Sequence, residues 1–205
     1  MVNKEIKNLV VDFGGVLINL DRQRCIDNFK KLNLSDIDEL LGLYSQQGFF
    51  MDFEKGLISP AEFREHICQL IGEKRTDQQI DDAWNSFLVD IPYYKLDLLL
   101  KLREKYVVYL LSNTNQIHWD WACKHAFPHR SFGVEDYFEK IYLSFKMKMA
   151  KPDSQIFTTV LEDAGLNPAE TFYIDDSVAN CQVAQSLGIS TYTPLAREDW
   201  GHLFK

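Results

Sequence analysis

Four short segments carry residue types that do chemistry. The first is Leu9-Val10-Val11-Asp12-Phe13-Gly14-Gly15, an apolar run closed by a carboxylate and, one residue on, a pair of glycines. The second, Val107-Val108-Tyr109-Leu110-Leu111-Ser112-Asn113, is an apolar run closed by a hydroxyl and an amide. The third is Lys151-Pro152, and the fourth, Phe172-Tyr173-Ile174-Asp175-Asp176, ends in paired carboxylates. Apolar runs of this kind read as buried strands of a parallel sheet. Polar side chains at their carboxyl ends stand where ligands bind in open α/β sheets. Glycines near Asp12 let a phosphate or a metal approach the main chain. Any one segment alone is also ordinary turn chemistry. The four in this order, three of them at strand ends, are not a chance arrangement.

The elements that must position these residues follow from periodicity. Strands are predicted near 6–12, 106–112, 139–143, 171–175 and 189–193, with helices near 92–104, 152–164 and 177–187. Gly165 and Gly188 read as helix stops. Between the first two segments the pattern is helical only. Cys25, Phe29 and Leu32 share a face after Asp21, and Ile37, Leu40, Leu41 and Tyr44 share one after Ser35. Ser59-Pro60-Ala61-Glu62 and Thr76-Asp77-Gln78-Gln79 are capping boxes. Behind them Phe63, Ile67, Leu70 and Ile71, then Ile80, Trp84, Phe87 and Leu88, are expected to face inward. The fold class is therefore α/β, a Rossmann-like parallel sheet with a small inserted helical bundle. The expected division is a core of residues 1–17 and 91–205 and an insertion of 18–90.

At these residues the chain resembles the haloacid dehalogenase superfamily of phosphohydrolases over nearly its whole length. The matching positions are Asp12, Ser112 with Asn113, Lys151, and Asp175 with Asp176. A closer resemblance is to the bacterial α-glucose-1-phosphate phosphatase-like subgroup. It rests on Leu111-Ser112-Asn113-Thr114-Asn115, Ile141-Tyr142-Leu143-Ser144, Lys151-Pro152-Asp153, and Asp175-Asp176-Ser177 with Asn180 and Leu187-Gly188-Ile189. The resemblance implies a phosphatase in which Asp12 attacks phosphorus and forms an aspartyl phosphate. It implies Mg²⁺ held by Asp12, the Gly14 carbonyl and Asp175, with Asp176 binding through water or orienting Lys151. Ser112, the Asn113 amide and Lys151 would hold the phosphoryl oxygens. The insertion would be a mobile cap.

Two departures stand out. Most phosphatases of this superfamily carry a second aspartate two residues after the nucleophile, as general acid and base, and here that position is Gly14. Such catalysis is commonly worth about 10²–10⁴-fold. A hexose 1-phosphate, with its more acidic leaving hydroxyl, would suffer least from the loss, and the resembled subgroup also tends to carry glycine here. The second departure is Lys148, where the family usually has glycine four residues after the serine. With Lys146 and Lys151 it suggests either a solvated loop or an extra contact to an anionic substrate.

Composition narrows the rest. A chain of 205 residues with 46% hydrophobic content holds one sizeable domain, or a domain with an insertion. A net charge of −8 argues against nucleic acid as a partner. No run is long enough to span a membrane and no leader pattern opens the chain, so a cytoplasmic location is expected. Cys25, Cys68, Cys123 and Cys181 lack metal spacing and read as isolated buried thiols. His66, His125, His129 and His202 read as structural, while His118 and Trp119, close behind the second segment, read either as residues that reach the site mouth or as a surface histidine and a packed tryptophan. The Gln47-Gly48-Phe49 and Phe53-Glu54-Lys55-Gly56 segments read either as loops that sense the leaving group or as plain helix connections. Two other functions compete with the phosphatase acting on a small phosphorylated metabolite. One is metal-free dehalogenase chemistry. The other is a non-catalytic phosphate-binding module, favoured only by Gly14. Nothing in the sequence speaks to oligomeric state.

Overall fold

The computed structural model describes residues 2–41 and 48–205, so the expectations for Tyr44 and Gln47 lie outside the described residues. Five parallel strands form one sheet in the order β3-β2-β1-β4-β5. They are β1 (Asn8–Val11), β2 (Val107–Ser112), β3 (Lys140–Leu143), β4 (Thr171–Ile174) and β5 (Ser190–Tyr192). Each coincides with a predicted strand. The first strand in sequence is the central one, with Val11 level with Leu110 on one side and Ile174 on the other.

Strand side chains alternate between two cores. Leu9, Val11, Val108, Leu110, Phe172 and Ile174 enter one core, and Val10, Tyr109, Leu111 and Tyr173 enter the other. Helices α6 (Tyr93–Leu102), α7 (Gln116–His125) and α8 (Val134–Tyr137) cover the first face. Helices α10 (Ser154–Asp163) and α11 (Val178–Ser186) cover the second, and α9 (Ser144–Met147) follows β3 directly. Burial on both faces explains why the strands read as continuous apolar runs. Helix α7 was not expected: its buried Ile117, His118, Trp119 and Ala122 follow Asn115, whose side chain accepts from His118 N at 3.0 Å as an N-cap. Pro152 does not open α10. Asp153 caps it by accepting from Gln155 N at 2.9 Å, and Pro152 follows Lys151 through a cis peptide bond.

The insertion contains α1 (Arg22–Lys31), α2 (Ile37–Leu40), α3 (Phe49–Glu54), α4 (Pro60–Ile71) and α5 (Asp77–Asn85). Asp21 caps α1, and both expected capping boxes are present at Ser59 and Thr76. Cys25, Phe29, Ile37, Phe50, Phe53, Phe63, Ile67, Ile80 and Trp84 form a separate apolar cluster, which Ile117 of the sheet-covering layer also joins. Three details differ from the sequence reading. Leu70 is 47% exposed. Leu88 lies beyond α5 and packs into the sheet core. The Phe53-Glu54 pair ends helix α3 rather than lying in a connection.

The chain enters and leaves the insertion side by side. Asp21 N donates to Phe87 O at 2.8 Å, Asn19 N to Asp90 O at 2.9 Å, and Val89 N to Asn19 O at 2.9 Å. This two-chain neck begins just past the loop that follows Asp12, so it sets the helical cluster over the carboxyl edge of the sheet. No helix among the described residues is long and apolar enough to cross a membrane. The four cysteines are free; the expectation of buried thiols holds for Cys25 and Cys181, whereas Cys68 and Cys123 are half-buried.

Candidate active site

Asp12 follows the last residue of the central strand. Its N–H donates to Ile174 O at 2.9 Å, which continues the β1–β4 ladder and fixes the carboxylate at the sheet edge. Chain direction changes sides of the sheet at this strand, so Asp12 occupies the topological switch point. Lys151 reaches it from the loop before α10. Its Nζ donates to Asp12 Oδ1 at 2.7 Å, to Asp175 Oδ2 at 2.7 Å and to Leu111 O at 3.0 Å. An ammonium has three protons, so all of them are committed. Burial works against the charge on Lys151, but the two carboxylates outweigh it and hold the lysine protonated well above its ordinary range.

Asn113 places that lysine. Its side-chain Oδ1 accepts from Lys151 N at 2.9 Å and its Nδ2 donates to Lys151 O at 2.9 Å, a two-bond clamp on the main chain of one residue. This leaves the main-chain N–H of Asn113 as the group it can offer an anion. Ser112, at the end of β2, is fully buried and its hydroxyl lies 3.3 Å from Asn113 O.

The two carboxylates of the fourth segment have separated roles. Asp175 is 0% exposed. Its Oδ2 accepts from Lys151, from the Tyr173 hydroxyl and from Asn180 Nδ2, and its Oδ1 accepts from Ser177 N at 2.8 Å. Burial favours the neutral form of Asp175, but Lys151 and these donors more than reverse it and keep the group ionised. Asp176 turns the other way and lines the cavity with Asp12. The ion pair to Lys151 is thus made by Asp175, not by Asp176 as the sequence reading allowed. Tyr173 and Asn180 complete the shell around Asp175. Period-two alternation could have flagged Tyr173, which shares a face with Asp175.

Asp12, Asp175 and Asp176 offer oxygens that all lie within 4.8 Å of one another. Burial, then Asp175 and Asp176, raise the pKa of Asp12 despite the lysine. That surplus of negative charge, made of hard oxygen donors, suits a divalent cation such as Mg²⁺. Backbone shape agrees. Gly15 has φ +73°, and a Cβ there would come within 2.1 Å of Asp176 Oδ2, so the main chain and the carboxylate share a cradle that a side chain would fill. Gly14 is different, since a Cβ there would meet only Leu20 Cδ1 at 3.5 Å. The loop from Phe13 to Ile18 is held from beneath. Val16 O accepts from the buried Lys95 Nζ at 2.5 Å and from Trp200 Nε1 at 3.3 Å.

Above these groups is a cavity of about 380 Å³ whose walls come from both layers. The sheet side supplies Asp12, Gly14, Asn113, Lys151 and Asp176, and the helical insertion supplies Arg22, Met51, Glu54 and Trp84. A larger depression of about 610 Å³, near Tyr94, Tyr106 and Phe204, lies at the opposite end of the sheet and holds no such cluster. Glu54 of α3 is the acid that the sequence reading left unassigned. Burial pushes its pKa up to about 7, against the pull of Lys151 and then Lys55. Its carbonyl is tied to the sheet layer by Ser144 Oγ at 2.7 Å, and the same hydroxyl accepts from Thr114 N at 2.9 Å.

For two other residues the structure decides between the readings the sequence offered. His118 is buried and lines the cavity rather than lying on the surface. Asn115 Oδ1 accepts from His118 N at 3.0 Å and from Trp84 Nε1 at 3.3 Å, so Asn115 Nδ2 is turned toward His118 Nδ1 at 3.1 Å. The imidazole proton is then on Nε2, donated to Trp84 O at 3.0 Å. Burial lowers this histidine to about 4 and keeps it neutral. Trp119 is packed, as expected. Lys148 does not line the cavity. It has φ +59°, the left-handed conformation that glycine adopts most easily, and its ammonium donates to Gly56 O of the insertion. Lys146 sits over the Phe145 ring, so the expected basic cluster does not form at the site.

Comparison with known proteins agrees with this geometry. The description "haloacid dehalogenase-like hydrolase" matches residues 6–188. A D-ribitol-5-phosphate phosphatase of Bacteroides thetaiotaomicron is 39% identical over 195 residues, 95% of each chain. The crystal structure of wild-type HAD family enzyme BT-2542 from the same organism is a complex with magnesium and inorganic phosphate. It is 68% identical, with a TM-score of 0.94, and the match covers 98% of this chain and 100% of that one. L-2-haloacid dehalogenase from Xanthobacter autotrophicus, 20% identical with a TM-score of 0.63 over 97% of this chain and 81% of that one, shares the fold alone. With residues 6–188 matched and the carboxylates, lysine and strand ends in place, the chain belongs to the haloacid dehalogenase-like hydrolases.

Proposed function

We propose that this chain is a Mg²⁺-dependent phosphoric monoester hydrolase that acts on a small phosphorylated sugar or sugar alcohol through an aspartyl-phosphate intermediate. One observation carries the reading: a carboxylate at the floor of a cavity, paired at 2.7 Å with a buried lysine and flanked by two further carboxylates. In this reading Asp12 is the nucleophile. Lys151 stays charged and offsets the repulsion between that carboxylate and the incoming phosphate. The Asn113 N–H and Ser112 receive phosphoryl oxygens. Asp12, the Gly14 carbonyl and Asp176 would hold Mg²⁺, with Asp175 fixing Lys151 and completing the carboxylate set. Bound there, the ion supplies charge neutralisation and a fixed position for a phosphoryl oxygen. Residues 18–90 act as a cap that closes over the substrate.

The substrate class rests on the size of the cavity, about 380 Å³, and on the D-ribitol-5-phosphate phosphatase relative. A 2-haloacid would bring its own carboxylate against Asp175 and Asp176, which opposes dehalogenase chemistry. The test is phosphate release from a panel of pentitol, pentose and hexose phosphates, including D-ribitol 5-phosphate and glucose 1-phosphate, with and without Mg²⁺. Release that needs Mg²⁺ and disappears in Asp12→Asn is expected. Halide release without metal, or no release from any ester, would overturn the reading.

A further inference from the structure

We infer that Glu54 of the cap protonates the leaving oxygen and then takes the proton of the attacking water, the work that the absent side chain at Gly14 cannot do. This rests on the phosphatase reading above. Gly14 stands where a second carboxylate would otherwise face the leaving group, and its hydrogen-only side chain leaves that side of the cavity open. The other titratable groups of the described cavity wall are unsuited. Asp12 is the nucleophile, and Asp176 belongs to the carboxylate cluster. Arg22 cannot give up its proton, and Lys151 has every proton committed. His118 is neutral, with both ring nitrogens engaged. Glu54 is the remaining acid.

Its main chain is anchored to the core. Ser144 holds its carbonyl to the loop that carries Asn113 and Thr114, and Lys148 holds the Gly56 carbonyl two residues on. These contacts join cap and core on both sides of the acid, so Glu54 is delivered when the cap docks. Its chemistry suits the task. Lys151 and its neighbour Lys55 act on its charge, and Asp12 and Asp176 from the core, Arg22 from α1 and His118 from α7 share its cavity wall. Within that cavity burial raises the pKa of Glu54 to about 7, and a carboxyl group shifted this way is suited to giving and taking a proton.

The steps balance. In the first, the Asp12 oxygen–phosphorus bond forms, the phosphorus–leaving oxygen bond breaks, and the Glu54 proton passes to that oxygen, so that a neutral alcohol departs. In the second, water attacks phosphorus, its proton passes to the Glu54 carboxylate, and the bond to Asp12 breaks. Inorganic phosphate, the Asp12 carboxylate and a protonated Glu54 remain.

The experiment compares an alkyl ester that the panel shows to be turned over, D-ribitol 5-phosphate or ribose 5-phosphate, with p-nitrophenyl phosphate, whose leaving group needs no proton. In the wild type, kcat/KM for the alkyl ester should fall about tenfold per pH unit above neutrality, while the aryl ester shows no such limb. Glu54→Gln should lower kcat/KM for the alkyl ester about 10²-fold or more and for the aryl ester less than tenfold, abolish the alkaline limb, and leave Mg²⁺ affinity intact. Adding Gly14→Asp to Glu54→Gln should restore at least tenfold on the alkyl ester. Equal losses on both esters, no loss on either, or an alkaline limb that survives in Glu54→Gln would overturn the assignment. The wild-type profile decides by itself if the variant does not fold: a limb shared by both esters counts against Glu54. A wild type inactive on every ester would instead sink the phosphatase reading.

Discussion

Gly14 and Gly15 are neighbours of identical composition with opposite tolerances. A methyl group at Gly14 meets only Leu20 at ordinary contact distance, whereas one at Gly15 lands on Asp176 in a left-handed backbone. Gly15→Ala is therefore expected to displace Asp176 and weaken Mg²⁺ binding by at least about tenfold, the scale seen when groups supporting a metal ligand are lost. Gly14→Ala should bind the ion as the wild type does. Calorimetric titration of both variants checks this, and equal affinities would remove Asp176 from the metal site. Lys151 makes a second residue-scale prediction. It is the cation between two buried carboxylates, and removing one partner of such a set leaves uncompensated charge. Lys151→Met should cost about 3–5 kcal/mol in denaturant unfolding, with part of that recovered in saturating Mg²⁺. An undiminished stability would mean that the cluster is protonated rather than ion-paired.

At the scale of elements, the joint between cap and core is built on α7. His118 stacks on Trp84 at 4.5 Å between ring centres and is neutral there. Its folded pKa of about 4 lies below the ordinary 6.5, so the unfolded chain binds the extra proton first. The stability contributed is complete above pH 6.5 and is lost as pH falls from 6.5 toward 4. The loss is on the order of 3 kcal/mol. His118→Gln, which keeps one donor and one acceptor, should flatten that part of the pH–stability curve; an unchanged slope would assign the acid sensitivity elsewhere. This joint also shows why some of the site was legible and some was not. Asp12, Ser112 and Asp175 end apolar runs, so their neighbourhood follows from strand pattern and parallel order alone. Lys151 and Asn113 were recognisable by type, but not the clamp that commits the Asn113 side chain. His118, Ser144 and Glu54 act through the docking of the insertion on the sheet. His118 meets Trp84 34 residues away and Ser144 meets Glu54 90 residues away, and no local period encodes such contacts. Lys148 could be read as a solvated residue or as an anion contact, and it is exposed, in a left-handed turn that directs it to the Gly56 carbonyl.

Across the whole molecule, Trp200 supports the loop beside Asp12, and the segment that carries it also meets Val2. Val2 N donates to Leu203 O at 3.1 Å, and Trp200, 1% exposed, donates to the Val16 carbonyl. Trp200→Ala should cost about 3–5 kcal/mol through the cavity it leaves. It should also lower kcat more than a surface substitution of equal length, because the Val16 carbonyl loses one of its two donors. Thermal unfolding and steady-state rates test the two effects separately. The same geometry bears on the order in which the protein is made. The strand that presents Asp12 is the first to leave the ribosome, yet it lies between two strands that come out about 100 and 160 residues later. A nascent chain halted before residue 171 has neither Asp175 nor the second flank of the sheet, and one halted before residue 200 still lacks the tryptophan beneath the Val16 carbonyl. The carboxylate cluster is thus complete only when residues from both flanks of the central strand are present.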